Sequence, residues 1–348
     1  MALQASGPIS FSQIANEFGT PPGKNLGAYR ISQSVGTFSN LPLDTGVPQS
    51  GPVGFSSFYS KRLNVVVDLY NIQENTTRIN ARDRYNNNAV TIIGGFKTTR
   101  PLSSSGTKVY INVNKTIGSQ KGDRNYVALR TGSWDSDTQL ITVIGSDGNL
   151  YGAGGDGGIG GGIPSNAGQG GQGSSALGIE YPTTIINQGV IFGGRGGGGG
   201  GAGGYGWTFS DVQDGCEGLQ NQSLRIGGGG GAGGRGYPSG TGGQRNTQSA
   251  LRGGAGANFA GSGSSGTVDL DGSAGGGGST SGGQGCNRHA FSGGGGAIES
   301  NGNGGNVSYG GEGSGGQRGY AIIISPSGSI TSYTGNAASG NTTNGTVS

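Results

Sequence analysis

The chain has 348 residues, of which 85 are glycine and only 10 Phe, 2 Trp and 1 Met, with 30% in the hydrophobic class. That is too little apolar matter for one ordinary core, and a net charge of +3 with 11% charged residues is too dilute for a nucleic-acid stripe or an acidic-partner patch. The start, Met1 to Pro8, lacks the basic and apolar regions of a secretory signal, and no apolar run approaches the ~18 residues of a membrane span. An extracellular role is therefore expected to need another route of release, such as cell lysis.

Residues 1–60 form a first unit with an internal echo. Ser6-Gly-Pro-Ile-Ser-Phe-Ser-Gln-Ile14 recurs as Ser50-Gly-Pro-Val-Gly-Phe-Ser-Ser-Phe58. Ser10 or Ser12 can N-cap a short helix from Phe11 to Phe18, stopped by Gly19 and Pro21-Pro22. The unit has few apolar residues and a repeated Phe-containing motif, so it is expected to dock on a partner through Phe11, Ile14, Phe18, Phe55, Phe58 and Tyr59.

Residues 61–150 change character. The β-branched runs Leu63–Tyr70, Ala89–Ile93, Lys108–Val113 and Gln139–Ile144 are spaced by turn residues, which predicts an antiparallel β-sandwich with Tyr126, Leu129 and Trp134 adding to its core. Residues 151–319 are dominated by glycine runs separated by inserts of other composition. A strand near Tyr320 to Ser325 and a polar tail close the chain at 320–348. A second repeat joins these parts, since Thr142 to Gly155 parallels Thr184 to Gly197, and in both a strand turns and runs straight into glycine.

A chain near one quarter glycine either stays disordered or orders itself by something other than side-chain packing, because glycine gives up the most backbone entropy and buries no side chain. The ordered alternative predicts extended three-residue-per-turn helices packed side by side, donating backbone N–H groups to each other's carbonyls. At ~3.1 Å per residue the run Gly193 to Gly204 would span about 37 Å. The fold class expected is mainly β plus irregular: attachment unit, antiparallel β-sandwich, then a polyglycine II (polyproline-II-like) bundle with variable loops and a closing strand.

Catalytic readings find little support. His289 is the single histidine, which leaves a Ser-His pair or a multi-His metal site without partners around Cys286-Asn-Arg-His289. Asp211 with Asp214, or Asp269 with Asp271, is a carboxylate pair of the kind glycan cleavage uses, but solvated loop carboxylates are the simpler reading. Cys216 and Cys286 are read as free thiols, because alternating run directions would put their inserts at opposite ends. Matches to phosphate-binding loops are trivial among this many glycines. Arg195, Arg235 and Arg252, beside Gly pairs, are expected to cap or flank the bundle. No cofactor, metal or enzymatic activity is expected.

The stretch Gly7-Pro-Ile-Ser-Phe-Ser-Gln-Ile-Ala-Asn-Glu-Phe-Gly19 resembles the start of many tailed-phage virion proteins, and Gly51 to Tyr59 resembles the second half of the same signature. The strand-to-glycine junctions, the glycine runs and the closing Gly319-Tyr-Ala-Ile-Ile-Ile resemble glycine-rich tail-fibre adhesins and tail-tip proteins. That resemblance implies a virion location after assembly in the host cytoplasm, other tail proteins as partners, a homotrimeric option, and a host receptor (an outer-membrane protein or a glycan) met by loops at the bundle's far end. Tyr205, Trp207, Phe209, Asp211, Asp214, Asp269 and Asp271 are the receptor-contact candidates, with the 205–226 and 264–271 inserts expected at one end and 237–251 and 286–291 at the other. The alternatives are a tip scaffold without receptor contact, or a non-viral glycine-rich matrix or ice-binding protein.

Overall fold

The computed structural model describes residues 2–70, 72, 76–94, 96–162, 165–207, 223–226, 229–244, 257–258, 262–267, 270–276, 279–281, 289–291, 297, 299–300, 308–309 and 312–344. Helix α1 (Phe11–Phe18) has the predicted bounds. Ser10 caps it, accepting from the Gln13 N–H at 3.3 Å while the Gln13 side chain accepts from the Ser10 N–H at 2.7 Å. Gly19 ends it at φ 88, where a Cβ would sit 2.3 Å from the Phe96 carbonyl. Ile14 and Phe18 are fully buried, as is Phe58 from the second copy of the echo, whose Phe55–Phe58 stretch forms a 3₁₀ turn. Phe18, Phe58 and Tyr29 form one aromatic knot with ring centroids 5.5–6.2 Å apart. The partner-contact candidates Ile14, Phe18 and Phe58 are therefore core residues, in the same apolar cluster as the strands that follow. In both copies the later residue (Ile14, Phe58) is fully buried and the earlier one (Phe11, Phe55) is not. Phe55 is 44% exposed, Phe11 is half-buried against the cluster, and Tyr59 is half-buried with its hydroxyl donated to the Gly7 carbonyl.

The hairpin β1 (Ser32–Val35) and β2 (Phe38–Pro42) precedes the main body. A first turn follows with β3 (Asn64–Leu69), β4 (Thr76–Thr77) and β5 (Ile79–Asn80), then helix α2 (Ala81–Asn86) and β6 (Val90–Ile93). The second turn is β7 (Lys108–Val113), β8 (Thr116–Gly118) and β9 (Val127–Arg130); the third is β10 (Gln139–Ile144), β11 (Asn149–Tyr151) and β12 (Ser175–Ile179). The fourth opens with β13 (Thr183–Asn187) and β14 (Val190–Phe192). It closes only after β15 (Gly203–Trp207), β16 (Ser223–Ile226), β17 (Ala257–Asn258), β18 (Ser279–Ser281), β19 (His289–Phe291) and β20 (Ser308–Tyr309), with β21 (Ile322–Ile324). The last turn is β22 (Ile330–Gly335) and β23 (Thr342–Asn344), with Ser339 bridging to Phe192 between them.

The first four turns each lay one strand on each of three sheets and the last adds one to two of them, so β3, β7, β10, β13 and β22 stack in parallel, as do β4, β8, β11 and β14, and β5, β9, β12, β21 and β23. The main body is thus a three-sided parallel solenoid, where the sequence predicted an antiparallel sandwich. Among the described strands of these three sheets, only β6 runs antiparallel, against β3. Period-two alternation is common to both arrangements, and a corner uses the same turn residues as a hairpin, so the sequence pattern does not separate them. Like residues stack from turn to turn inside: Val65, Val109 and Leu140 are aligned, as are Ile79, Leu129, Leu177 and Ile322. Burying each such side chain is worth roughly 1.5–3 kcal/mol. Leu129 and Trp134 join this core as expected, while Tyr126 stays half-buried under the Arg78 guanidinium at 4.7 Å. The sheets also recruit strands from both sides of residue 150, and the body runs to 344.

Both long glycine insertions leave at the same corner, 152–174 between β11 and β12 and 193–321 between β14 and β21. Their hydrogen bonds recur at every third residue. Gly152, Gly155, Gly158 and Gly161 donate to Phe192, Arg195, Gly198 and Gly201 at 2.7–2.8 Å, prolonging the parallel β11–β14 ladder. Gly194, Gly197 and Gly200 donate to Ser174, Gly171 and Gly168, and Gly319, Gly316 and Gly313 donate back to Gly194, Gly197 and Gly200. A Cβ at Gly197 would lie 2.0 Å from the Asp156 carbonyl, so the spacing excludes any side chain there.

A three-residue phase predicts a specific tolerance. Deleting Gly197 to Gly199 keeps the phase, whereas deleting Gly198 alone turns every later residue of that segment toward a different neighbour. The single deletion should melt lower than the triple, since each mispaired bond costs about 1 kcal/mol, and thermal melts of the two variants check this.

Candidate functional site: tip and root of the glycine insertions

The hydrogen bonds fix the direction of each segment. Residues 152–161 and 193–201 run outward from the solenoid, and 168–174 and 312–319 return. Gly231, Gly234 and Tyr237 donate to Gly158, Gly155 and Gly152, so 229–237 returns to the root. The chain then turns outward again, with Pro238, Thr241 and Gln244 accepting from Gly154, Gly157 and Gly160. Gly263 and Gly266 donate to Gly243 and Gly240, bringing 262–267 back, and Gly272 and Gly275 donate to Gly233 and Gly230, taking 271–276 out.

The outer end, the tip, is therefore where β15 pairs with β16 (Tyr205 opposite Arg225, Trp207 opposite Ser223) and with β20 (Gly203 opposite Tyr309). A second small sheet, β17, β18 and β19, sits there too, with β19 against β15 and β16. Tyr205 and Trp207 are on the tip strand β15. Phe209, Asp211, Asp214 and Asp269 lie outside the described residues.

Two placements differ from the sequence reading. The turn Thr267 to Leu270 is at the root, where Gly236 donates to Thr267 at 3.1 Å, and not at the tip with Tyr205. His289–Phe291 is at the tip, not opposite it. Counting glycine runs missed two reversals because Ser239–Gln244 and Ser262–Thr267 travel as full segments while alternating glycine with Ser, Thr and Gln. Glycine is needed only where a segment faces its neighbours. The reason for keeping the thiols apart, opposite ends, fails with this placement, although Cys216 and Cys286 themselves lie outside the described residues.

Asp271 is likewise at the root and already engaged. Its carboxylate accepts from the Arg235 N–H at 3.1 Å and lies 3.4 Å from the Arg195 guanidinium. Arg235 in turn covers the Phe192 ring at 4.3 Å. These two arginines brace the segments as expected, and Arg252 is outside the described residues. The loop between β8 and β9 adds a second clamp: Lys121 reaches Asp156 at 2.6 Å, and the same carboxylate oxygen accepts from the Thr241 N–H and hydroxyl at 2.7 and 2.8 Å. Arg124 donates to the Arg318 carbonyl at 2.8 Å and stacks over Tyr320 at 4.3 Å, and Arg318 meets Glu299 at 3.3 Å. Sequence reasoning missed the Asp156 clamp. Its one signal is an acid interrupting the first glycine run, which means nothing until the corner stacking is known. Among the described residues no cluster suits a metal ion, and no helix is long and apolar enough to cross a membrane.

No family model matches the chain, and no curated protein does. Among solved structures it is similar to a chain of the gp37-gp38 adhesin tip complex of the bacteriophage S16 long tail fiber, at 18% identity and a TM-score of 0.37, over 97% of this chain and 99% of that one.

Burial pushes the Asp156 carboxyl upward, but Lys121 and Thr241 outweigh it and hold it below the usual carboxylate range. A carboxylate depressed in the folded state stabilises above its unfolded pKa, about 3.9, and that contribution is lost as pH falls through the folded value. Asp156→Asn should therefore lower the melting temperature at pH 7, with the gap to the parent closing below about pH 4; melts from pH 3 to 7 read it directly.

Proposed function

We propose that this chain is a structural component of a bacteriophage tail fibre or tail tip that adheres to the host cell, with the glycine insertions forming a polyglycine II bundle that holds its recognition loops away from the virion. The observation that carries this reading is the polarity of the insertions: glycine-rich segments run from one corner of the solenoid, and the strands bearing Tyr205, Trp207, His289, Phe291 and Tyr309 gather at their outer end. Rigid backbone packing leaves specificity to the inserts, where aromatic residues give contact area at low entropic cost. The motif resemblance at both ends of the chain supports the virion assignment. In this reading the protein is not an enzyme, needs no cofactor, and meets other tail proteins through its amino-terminal unit.

The attachment surface is revised by the burial pattern. Removing residues 1–60 would strip the aromatic knot from the first turn, so a point change is the sounder test. Phe55→Ser should leave melting unchanged and reduce incorporation into virions; normal incorporation would remove Phe55 from that surface.

Adhesion is tested by replacing Trp207 and Phe209 with serine. Lost binding of the purified protein to host cells with unchanged melting supports a receptor face. A lowered melting temperature would instead make these residues plugs of the tip, and the protein a scaffold without receptor contact.

A further inference from the structure

We infer that the glycine insertions are a tension-resisting strut, in which tension applied at the tip passes into the solenoid as shear across rows of backbone hydrogen bonds. The inference takes from the proposed function only that the tip is where the molecule is pulled.

The geometry supplies the rest. Segments run between root and tip, and their hydrogen bonds cross from one segment to the next. Force along the segments therefore loads a whole row at once, while force at a segment's side opens bonds singly. Segment 193–201 is the hub. It accepts from 152–161 at Arg195, Gly198 and Gly201, donates to 168–174 at Ser174, Gly171 and Gly168, donates to 229–235 at Arg235, Ala232 and Gly229, and accepts from 312–319 at Gly194, Gly197 and Gly200. Its neighbours are joined to the body without a break in pairing. Gly152 donates to Phe192 one residue beyond the β11–β14 ladder, and Gly170 and Gly173 donate to Ser314 and Gln317 just before β12 pairs with β21. The body at that corner is buttressed by the turns on either side, through Ser119 donating to Tyr237 at 3.0 Å and Gly193 donating to Ser339 at 3.2 Å. The ion pairs Lys121–Asp156, Arg195–Asp271 and Arg318–Glu299 then pin the root end.

Single-molecule pulling of the full chain tests this, with one handle at the amino terminus and the other a short peptide tag placed after Gln244, toward the tip, or after Leu270, in the exposed root turn. Tip pulling should give one rupture at a force at least twofold above that for the root tag, which should release 262–276 in small steps. Equal forces, or stepwise unravelling from the tip, would overturn the inference. Should a tag disturb folding, hydrogen exchange on the untagged protein decides: Gly194, Gly197 and Gly200 should exchange at a common rate if the row opens together, and Gly200 exchanging far ahead of Gly194 would sink it. Neither measurement reads cell binding, so a failed adhesion test leaves both standing.

Discussion

The backbone hydrogen bond between glycine segments is the interaction on which everything outside the solenoid depends. Each bond is worth only about 1 kcal/mol net, and each glycine ordered costs roughly 0.5–1 kcal/mol more than alanine would. Isolated segments of this composition would be linkers. They order here because the first bonds of each row are set for them: β11 and β14 are already parallel and in register when the chain passes Tyr151 and Phe192, and the ladder continues with a change of period from two to three. The solenoid's apolar core thus supplies the nucleus for a structure that has almost no apolar core of its own.

The same constraint sets what may vary. Where a segment faces its neighbours, a Cβ would fall within about 2 Å of a carbonyl, as at Gly155 against Gly171 (1.9 Å) or Gly316 against Gly171 (1.9 Å). Where a segment faces outward, Asp156, Arg195, Arg235, Thr241 and Arg318 appear, and these are the residues that tie the segments together. Composition therefore encodes packing inversely to an ordinary core: the smallest residue marks the interior, and charge marks the seams.

Much of this was legible in sequence. Helix α1 with its Ser10 cap, strands β7 and β10, and the repeat that runs a strand into glycine all lie where composition and periodicity put them. The solenoid was not legible, because its repeat is broken by insertions of unequal length and because connections of different size displace the register within a turn. Sequence alignment sets Thr142 beside Thr184, whereas the ladder sets Thr142 beside Ile185 and Asn149 beside Val190. Four residues separate β10 from β11 and two separate β13 from β14, which absorbs the difference. The amino-terminal candidates misled for a related reason: a short unit with few apolar residues looks too poor to hold a core, but Ile14, Phe18 and Phe58 share the core of its neighbour.

The site was partly legible as well. Run-counting put Asp271 at the same end as Tyr205 and Trp207, whereas it lies at the root, because run-counting treats any stretch with few glycines as a loop. Period three resolves the error, since a segment such as Ser262–Thr267 keeps glycine at 263 and 266, the positions whose N–H groups bond to Gly243 and Gly240. Two glycines three residues apart are enough to seat a segment against an established neighbour, and an outer segment has fewer neighbours to satisfy than the hub 193–201. The density of glycine along this chain thus measures how many neighbours a segment has, and its spacing, rather than its amount, marks where a segment seats against its neighbour.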